Sequence, residues 1–222
     1  MDTDTRYINQ IEVITNIFTI DKGKINILLF RRIEDPYKGY WMLPSNLLMT
    51  SETINNCASD TIHEWAGIKD AYIEQCNVFS NINRLPNDRI IGNSVIALVD
   101  YQTIKFKKEN RKNSEYSWFS IDDLPKMVFD YNEIAFNASE FIKRKILNSN
   151  ILRKFYPADF TFPELQHVYE QALGKELDRR NFRKKFLNFN FIEKTGYKIS
   201  SGNGRPATLY RFKEEEINYN LF

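Results

Sequence analysis

The stretch Thr161-Phe162-Pro163-Glu164 constrains this chain more tightly than any other. Thr and Glu at that spacing form a capping box, in which hydroxyl and carboxylate each satisfy a backbone donor that the start of a helix leaves free. Leu165, Val168, Tyr169 and Ala172 follow at i, i+3, i+4 and i+7, one apolar face, and Gly174 supplies a stop. Asp178 can cap a further helix whose Phe182, Phe186 and Phe189 share a face. At about 100° per residue, Arg180 and Lys184 point away from those rings and Arg183 lies on their flank. Next come Phe191–Lys194, a Tyr-Lys-Ile-Ser-Ser segment, the turn Gly202-Asn203-Gly204-Arg205-Pro206 and a returning strand, Ala207–Phe212. Helix, helix and β-hairpin in that order predict a winged helix-turn-helix.

The first half follows a different pattern. Ile14–Ile20 and Ile25–Phe30 are β-branched and apolar, and Asp21-Lys22-Gly23-Lys24 between them reads as a hairpin turn. Further strands are predicted at Tyr72–Phe79, Ile90–Tyr101 and Tyr116–Ser120, with one helix, Glu52–Trp65, capped by Ser51 and stopped by Gly67. A second helix over Tyr131–Leu147 ends in Asn148-Ser149-Asn150. Mixed α/β structure is expected over residues 1–150, and a separate domain over 151–222.

Charge separates the same two parts. The net charge is only +2, but Phe141–Lys213 holds 16 Lys and Arg against 6 Asp and Glu, a surplus of 10 that leaves −8 for the remainder. A basic end on an acidic body is the distribution of a chain whose one end meets a polyanion; a solvated basic surface is the alternative. The start, MDTDTRYINQ, lacks the basic and apolar regions of a signal peptide, and no apolar run approaches the ~20 residues of a membrane span. A cytoplasmic protein is expected. Two cysteines, Cys57 and Cys76, are too few for a disulfide framework, and His63 and His167 are the only histidines, so no metal cluster is expected.

Leu43–Ile68, LPSNLLMTSETINNCASDTIHEWAGI, resembles the Nudix box, G-x5-E-x7-R-E-x-x-E-E-x-G followed by an apolar residue. Glu52, Ile62, Glu64, Gly67 and Ile68 match; Asn46 replaces the first Gly, Asp60 the Arg, and Thr61 and Trp65 two of the Glu residues. In Nudix hydrolases carboxylates at those helix positions gather divalent cations that neutralise a diphosphate and activate water. Positions 61, 64 and 65 share one helix face, on which only Glu64 keeps a carboxylate, with Trp65 expected to fill ligand space. LLFRRIEDPYKGYWMLPSN and YSWFSIDDLPKMVFDYNEI resemble the segments flanking the box and closing the fold. Joined to LDRRNFRKKFLNFNFIEKTG and SGNGRPATLYRF, they make the chain similar to the Nudix-related transcriptional regulators, the NrtR-like family with its sugar-responsive arabinose-regulator branch. The resemblance implies a Nudix-like α/β/α sandwich followed by a winged helix, homodimers on double-stranded operator DNA, and a sugar or sugar-nucleotide effector, with no catalytic residue, metal or cofactor.

Taken by their chemistry, Arg179, Arg180, Asn181, Arg183 and Lys184 suit a recognition helix, where Arg pairs bidentately with guanine and Lys or Arg neutralises phosphate. Arg205 gives the wing a basic tip. For the effector, Arg31 and Arg32 end a strand beside the box and one can face an anionic ligand, Trp41 can stack on a ring, and Glu64 is a remnant ligand group. Core packing remains the other reading of Trp41, Trp65 and Trp118, and a solvated helix face that of Glu52 and Glu64. An active Nudix hydrolase with a nucleic-acid-binding appendage, recruiting Glu115 or Asp60, is the alternative function. A protein-interaction module is a third.

Overall fold

In a computed structural model, residues 10–86, 88–101, 104, 115–156, 159–200 and 206–213 are described. β1 (Gln10–Asp21) and β2 (Lys24–Arg31) form the expected hairpin, with Asp21 opposite Lys24. Lys22 and Gly23 both take positive φ, 50° and 76°, the backbone a two-residue turn needs to match strand twist. β3 (Trp41–Met42) pairs with β2, and β4 (Ser45–Leu47) with β1. Neither short strand has a sequence signal of its own. β5 (Tyr72–Phe79), β6 (Ile90–Leu98) and β7 (Tyr116–Ser120) complete a mixed sheet of order β3-β2-β1-β6-β5, in which β1 and β6 run parallel and β7 adds to β2.

Residues Val13–Ile20 are buried without alternation because helices cover both faces. Val13 and Val95, pointing one way, pack on Cys57 and Ala58 of α1 (Ile54–Ala66); Ile14 and Ile96, pointing the other, join the cluster that includes Ile134 and Ala138 of α2 (Tyr131–Asn148). The result is an α/β/α sandwich. The cap of α1 is Thr53 rather than Ser51: its hydroxyl accepts from Asn56 N at 3.2 Å, while the Glu52 carboxylate turns back to accept from Met49 N at 2.7 Å. Gly67, at φ 69°, stops the helix as predicted.

After α2 a single 3-10 turn, Ile151–Lys154, leads to α3 (Phe162–Leu173), α4 (Arg179–Asn188) and the hairpin β8 (Ile192–Ile199) and β9 (Ala207–Phe212). That is a winged helix. The capping box forms in full, the Thr161 N–H donating to Glu164 Oε2 at 2.8 Å and the Glu164 N–H to Thr161 Oγ1. Among the described residues no helix is long and apolar enough to cross a membrane.

Candidate nucleic-acid interface and ligand site

α4 is held by its rings. Phe182 and Phe186 are 4% and 0% exposed and lie 5.6 and 5.1 Å from the Tyr169 ring of α3, and the Asp178 carboxylate caps the helix by accepting from Asn181 N at 2.8 Å. This packing turns the opposite face outward: Arg179, Arg180, Asn181, Arg183, Lys184 and Lys185 are all exposed. Arg183 differs from the others in being engaged at home. Its guanidinium donates to Tyr210 Oη at 2.8 Å and stacks 4.6 Å over Phe162, which ties α4 to α3 and β9. Arg205 lies outside the described residues. On β8, Lys194, Tyr197, Lys198 and Ile199 are exposed beside the positive-φ Gly196.

Not all of the basic surplus is free of partners. Lys143 pairs with Glu140 at 3.0 Å, Lys145 with Glu74 at 2.6 Å and Arg211 with Glu193 at 2.7 Å. Arg179, Arg180 and Lys184 form no ion pair among the described residues. A polyanion would therefore meet cations that need not first leave a partner.

The box helix shows the reverse. Thr61 is fully buried and donates to Cys57 O at 2.7 Å, and Trp65, 6% exposed, meets Phe30 edge-on at 5.0 Å. Both face the core, so positions 61 and 65 do not share an open face with Glu64, and Trp65 serves as core rather than filling ligand space. Glu64 is exposed and accepts from Asn46 Nδ2 at 3.1 Å. With Glu52 turned onto Met49 N, these residues do not fit a hard divalent cation, which asks for several convergent oxygens. Among the described residues no three His, Cys, Asp or Glu side chains gather into a metal-binding group. Burial, then the charge of Glu52, pushes the Cys57 thiol up to about 12.

Arg31, Arg32 and Trp41 come together at the end of β2. Arg31 stacks 4.4 Å over Trp41, donates to Gly39 O at 2.6 Å and faces Glu115 at 3.5 Å; Arg32 donates to Pro36 O at 2.7 Å and lies 5.7 Å over Phe129. Trp41 meets Phe119 edge-on at 4.8 Å.

A cleft of about 730 Å³ adjoins this cluster through Tyr37 and Phe129. Those two rings stand 5.4 Å apart, edge to face, and both residues take positive φ, 70° and 51°, a conformation that side chains with a Cβ rarely adopt and that concentrates at functional sites. Asn77, Asn81, Asn83 and Asn137 add amides to the lining. At its floor lies Arg84, 5% exposed, bonded by Nε and Nη2 to Asp130 at 2.9 and 3.2 Å and by Nη1 to Glu12 at 3.1 Å. Burial works hardest against its charge, but Asp130 and Glu12 more than offset that and raise its pKa above the ordinary value. Tyr131 donates to Glu12 at 2.6 Å, and burial followed by that carboxylate holds its hydroxyl well above its usual range. Sequence reasoning missed Arg84, Tyr37 and Phe129: Arg84 is a lone cation in a polar loop whose partners lie 72 and 46 residues away.

Fold and sites together define a class: a mixed α/β sandwich without a metal-binding acid cluster among its described residues, joined to a winged helix whose α4 turns Arg179, Arg180 and Lys184 outward. Comparison with known proteins agrees. Residues 154–212 match the NrtR DNA-binding winged helix domain. The chain is 29% identical over 209 residues to the ADPR responsive transcriptional repressor NtrR of Acinetobacter baylyi, covering 92% of this chain and 82% of that protein. Its fold superimposes on Shewanella oneidensis NrtR, solved with a 27mer DNA, with a TM-score of 0.77 and 27% identity, covering 91% and 93% of the two chains. The NUDIX domain of Shewanella oneidensis NrtR, solved with ADP ribose, shares the fold of 64% of this chain, which covers 94% of that domain, at a TM-score of 0.54 and 21% identity. The chain is thus a Nudix-like α/β/α sandwich followed by a winged helix, similar over most of its length to the NrtR regulators.

Proposed function

We propose that this protein is a transcription regulator that binds operator DNA through α4 and the wing, and that its Nudix-like part, residues 1–150, senses a sugar nucleotide of the ADP-ribose kind, while residues 151–222 carry the DNA contacts. The observation that carries this reading is the outward face of α4: Arg179, Arg180, Asn181 and Lys184 are exposed on a helix whose other face is locked by Phe182 and Phe186. Arg205 at the wing is assigned to phosphate or the minor groove. Arg183, fastened to Tyr210 and Phe162, fixes the angle between recognition helix and wing as well as lending charge. Operator geometry supports a homodimer, since two recognition helices on half-sites about one helical turn apart gain affinity over one, and a DNA partner suits the cytoplasm.

For the effector, the asparagine-lined cleft suits a ring with hydroxyls rather than a phosphate, because the charge of Arg84 is already matched by Asp130 and Glu12. Tyr37 and Phe129 offer faces for a base, and Arg31 and Arg32 beside them suit a diphosphate, with Trp41 as the platform that holds Arg31. Glu64, exposed on α1 beside Asn46, is a further candidate contact. The absence of a metal-binding acid set among the described residues favours sensing over hydrolysis. The test is a fluorescence-anisotropy titration of the full chain on a duplex that it enriches from a random pool, with and without ADP-ribose. Sequence-selective binding that ADP-ribose changes at least fivefold supports the reading; binding indifferent to sequence, or ADP-ribose turnover with magnesium, contradicts it.

A further inference from the structure

The seam between sandwich and winged helix is built from specific parts. Gly23, at the tip of the β1–β2 turn, is buried under α3: a Cβ there would come within 2.8 Å of the Glu164 carbonyl oxygen and 3.2 Å of His167 Cβ. Only glycine tolerates both that approach and its φ of 76°. One turn of α3 further on, Gln171 reaches back across the same seam. Its Oε1 accepts the Ile25 N–H at 2.7 Å, and its Nε2 donates to Asp122 Oδ2 at 2.7 Å and lies 3.4 Å from Ser120 Oγ. Ile25 lies near the start of β2 and Ser120 ends β7, and the two strands are paired there through Asn26 and Ser120. A single amide therefore grips two neighbouring strand ends.

The two elements it joins lead to opposite functions. From Ile25 to its end at Arg31, β2 spans about 20 Å at the usual rise of a strand and reaches the Arg31, Arg32 and Trp41 cluster. α3 carries Phe162 and Tyr169, on which the rings of α4 are seated. A strand flanked by paired neighbours does not stretch, and a close-packed seam does not absorb displacement, so a shift at one end of β2 must be passed on or refused as a unit.

We propose that Gln171 and the Gly23 turn form the joint through which ligand occupancy in the Nudix-like part alters the placement of α4. Gln171 is a positioning residue: it touches neither DNA nor ligand and acts through β2 and α3. The proposal rests on the effector reading above. A seam that merely glues the parts together would change stability and DNA affinity without changing their response to ligand, and this separates the two.

The experiment compares wild-type protein, Gln171→Met and Asp122→Ala in DNA titrations with and without ADP-ribose, and measures ADP-ribose binding by calorimetry. Gln171→Met keeps the size of the side chain and loses its amide bonds; Asp122→Ala removes a partner of Nε2, together with a 3.9 Å approach to Lys143, and is exposed, so it guards against a variant that fails to fold. The expected result is DNA affinity without ligand and ADP-ribose affinity both within threefold of wild type. The ratio of DNA affinities with and without ADP-ribose should fall at least fivefold toward 1 in Gln171→Met, and at least twofold in Asp122→Ala. An unchanged ratio in either folded variant, beside a responsive wild type, overturns the joint alone. A wild type whose DNA binding ignores ADP-ribose overturns the effector reading and the joint with it.

Discussion

α1 and α4 are built alike and used differently. Each is started by a short polar cap, Thr53 or Asp178, and each buries one face in an apolar core. On α4 the core takes only the Phe182 and Phe186 side, and every cation is left outside. On α1 the core has taken more: Thr61 and Trp65, which stand where the Nudix pattern has carboxylates, are buried, and Glu64 is left beside Asn46. A helix's inward face decides whether it forms, and its outward face what it can bind. Here one helix presents cations to solvent, while the other holds a buried Thr and a buried Trp at two positions of its box.

Restoring a carboxylate on α1 would break this comparison most directly. Trp65→Glu should cost at least the ~3–5 kcal/mol of truncating a large buried ring, because it also buries a charge against Phe30. Urea denaturation measures this, and a stable variant that gained magnesium-dependent hydrolysis would show that the core had not claimed the position. Phe186→Ala should cost about 3–5 kcal/mol and release α4, abolishing DNA binding together with the fold of the winged helix. Near-wild-type stability there would mean that the rings do not hold the helix.

The smallest effect concerns Cys57. Its thiol is raised from about 9 to about 12, so above pH 9 the unfolded chain sheds a proton that the folded protein keeps. The contribution is intact below pH 9 and is lost as the pH rises toward 12. The urea midpoint should fall over that window, and less steeply in Cys57→Ala; equal slopes would place the thiol in contact with solvent.

Much of this was legible locally. The capping box at Thr161, the stops at Gly67 and Gly174 and the two-residue turn at Lys22-Gly23 are short-range chemistry, and each stands where the residues put it. The outward face of α4 was equally readable from periodicity, because Phe182 and Phe186 define the inside, with Phe189 half-buried just past the last turn. What escaped is non-local. β3 and β4 are two and three residues long and exist through their partners. Arg84 is placed by Glu12 and Asp130 from distant segments, and the burial of Trp65 depends on where β2 sets Phe30. The role of Arg183 in tying α4 to Tyr210 was hidden in the same way, since nothing near Arg183 in sequence announces Tyr210.

The central claim is that Arg179, Arg180 and Lys184 of α4 meet DNA. Its most direct test is the salt dependence of DNA affinity for wild-type protein and for Arg180→Ala and Lys184→Ala, with circular dichroism confirming the fold. Each variant should lose about 1–3 kcal/mol of binding if it reads a base, or about one unit of the log–log salt slope if it neutralises a phosphate, with stability within ~0.5 kcal/mol of wild type. Two folded variants that bind DNA as tightly as the wild type, with the same salt slope, would contradict the account.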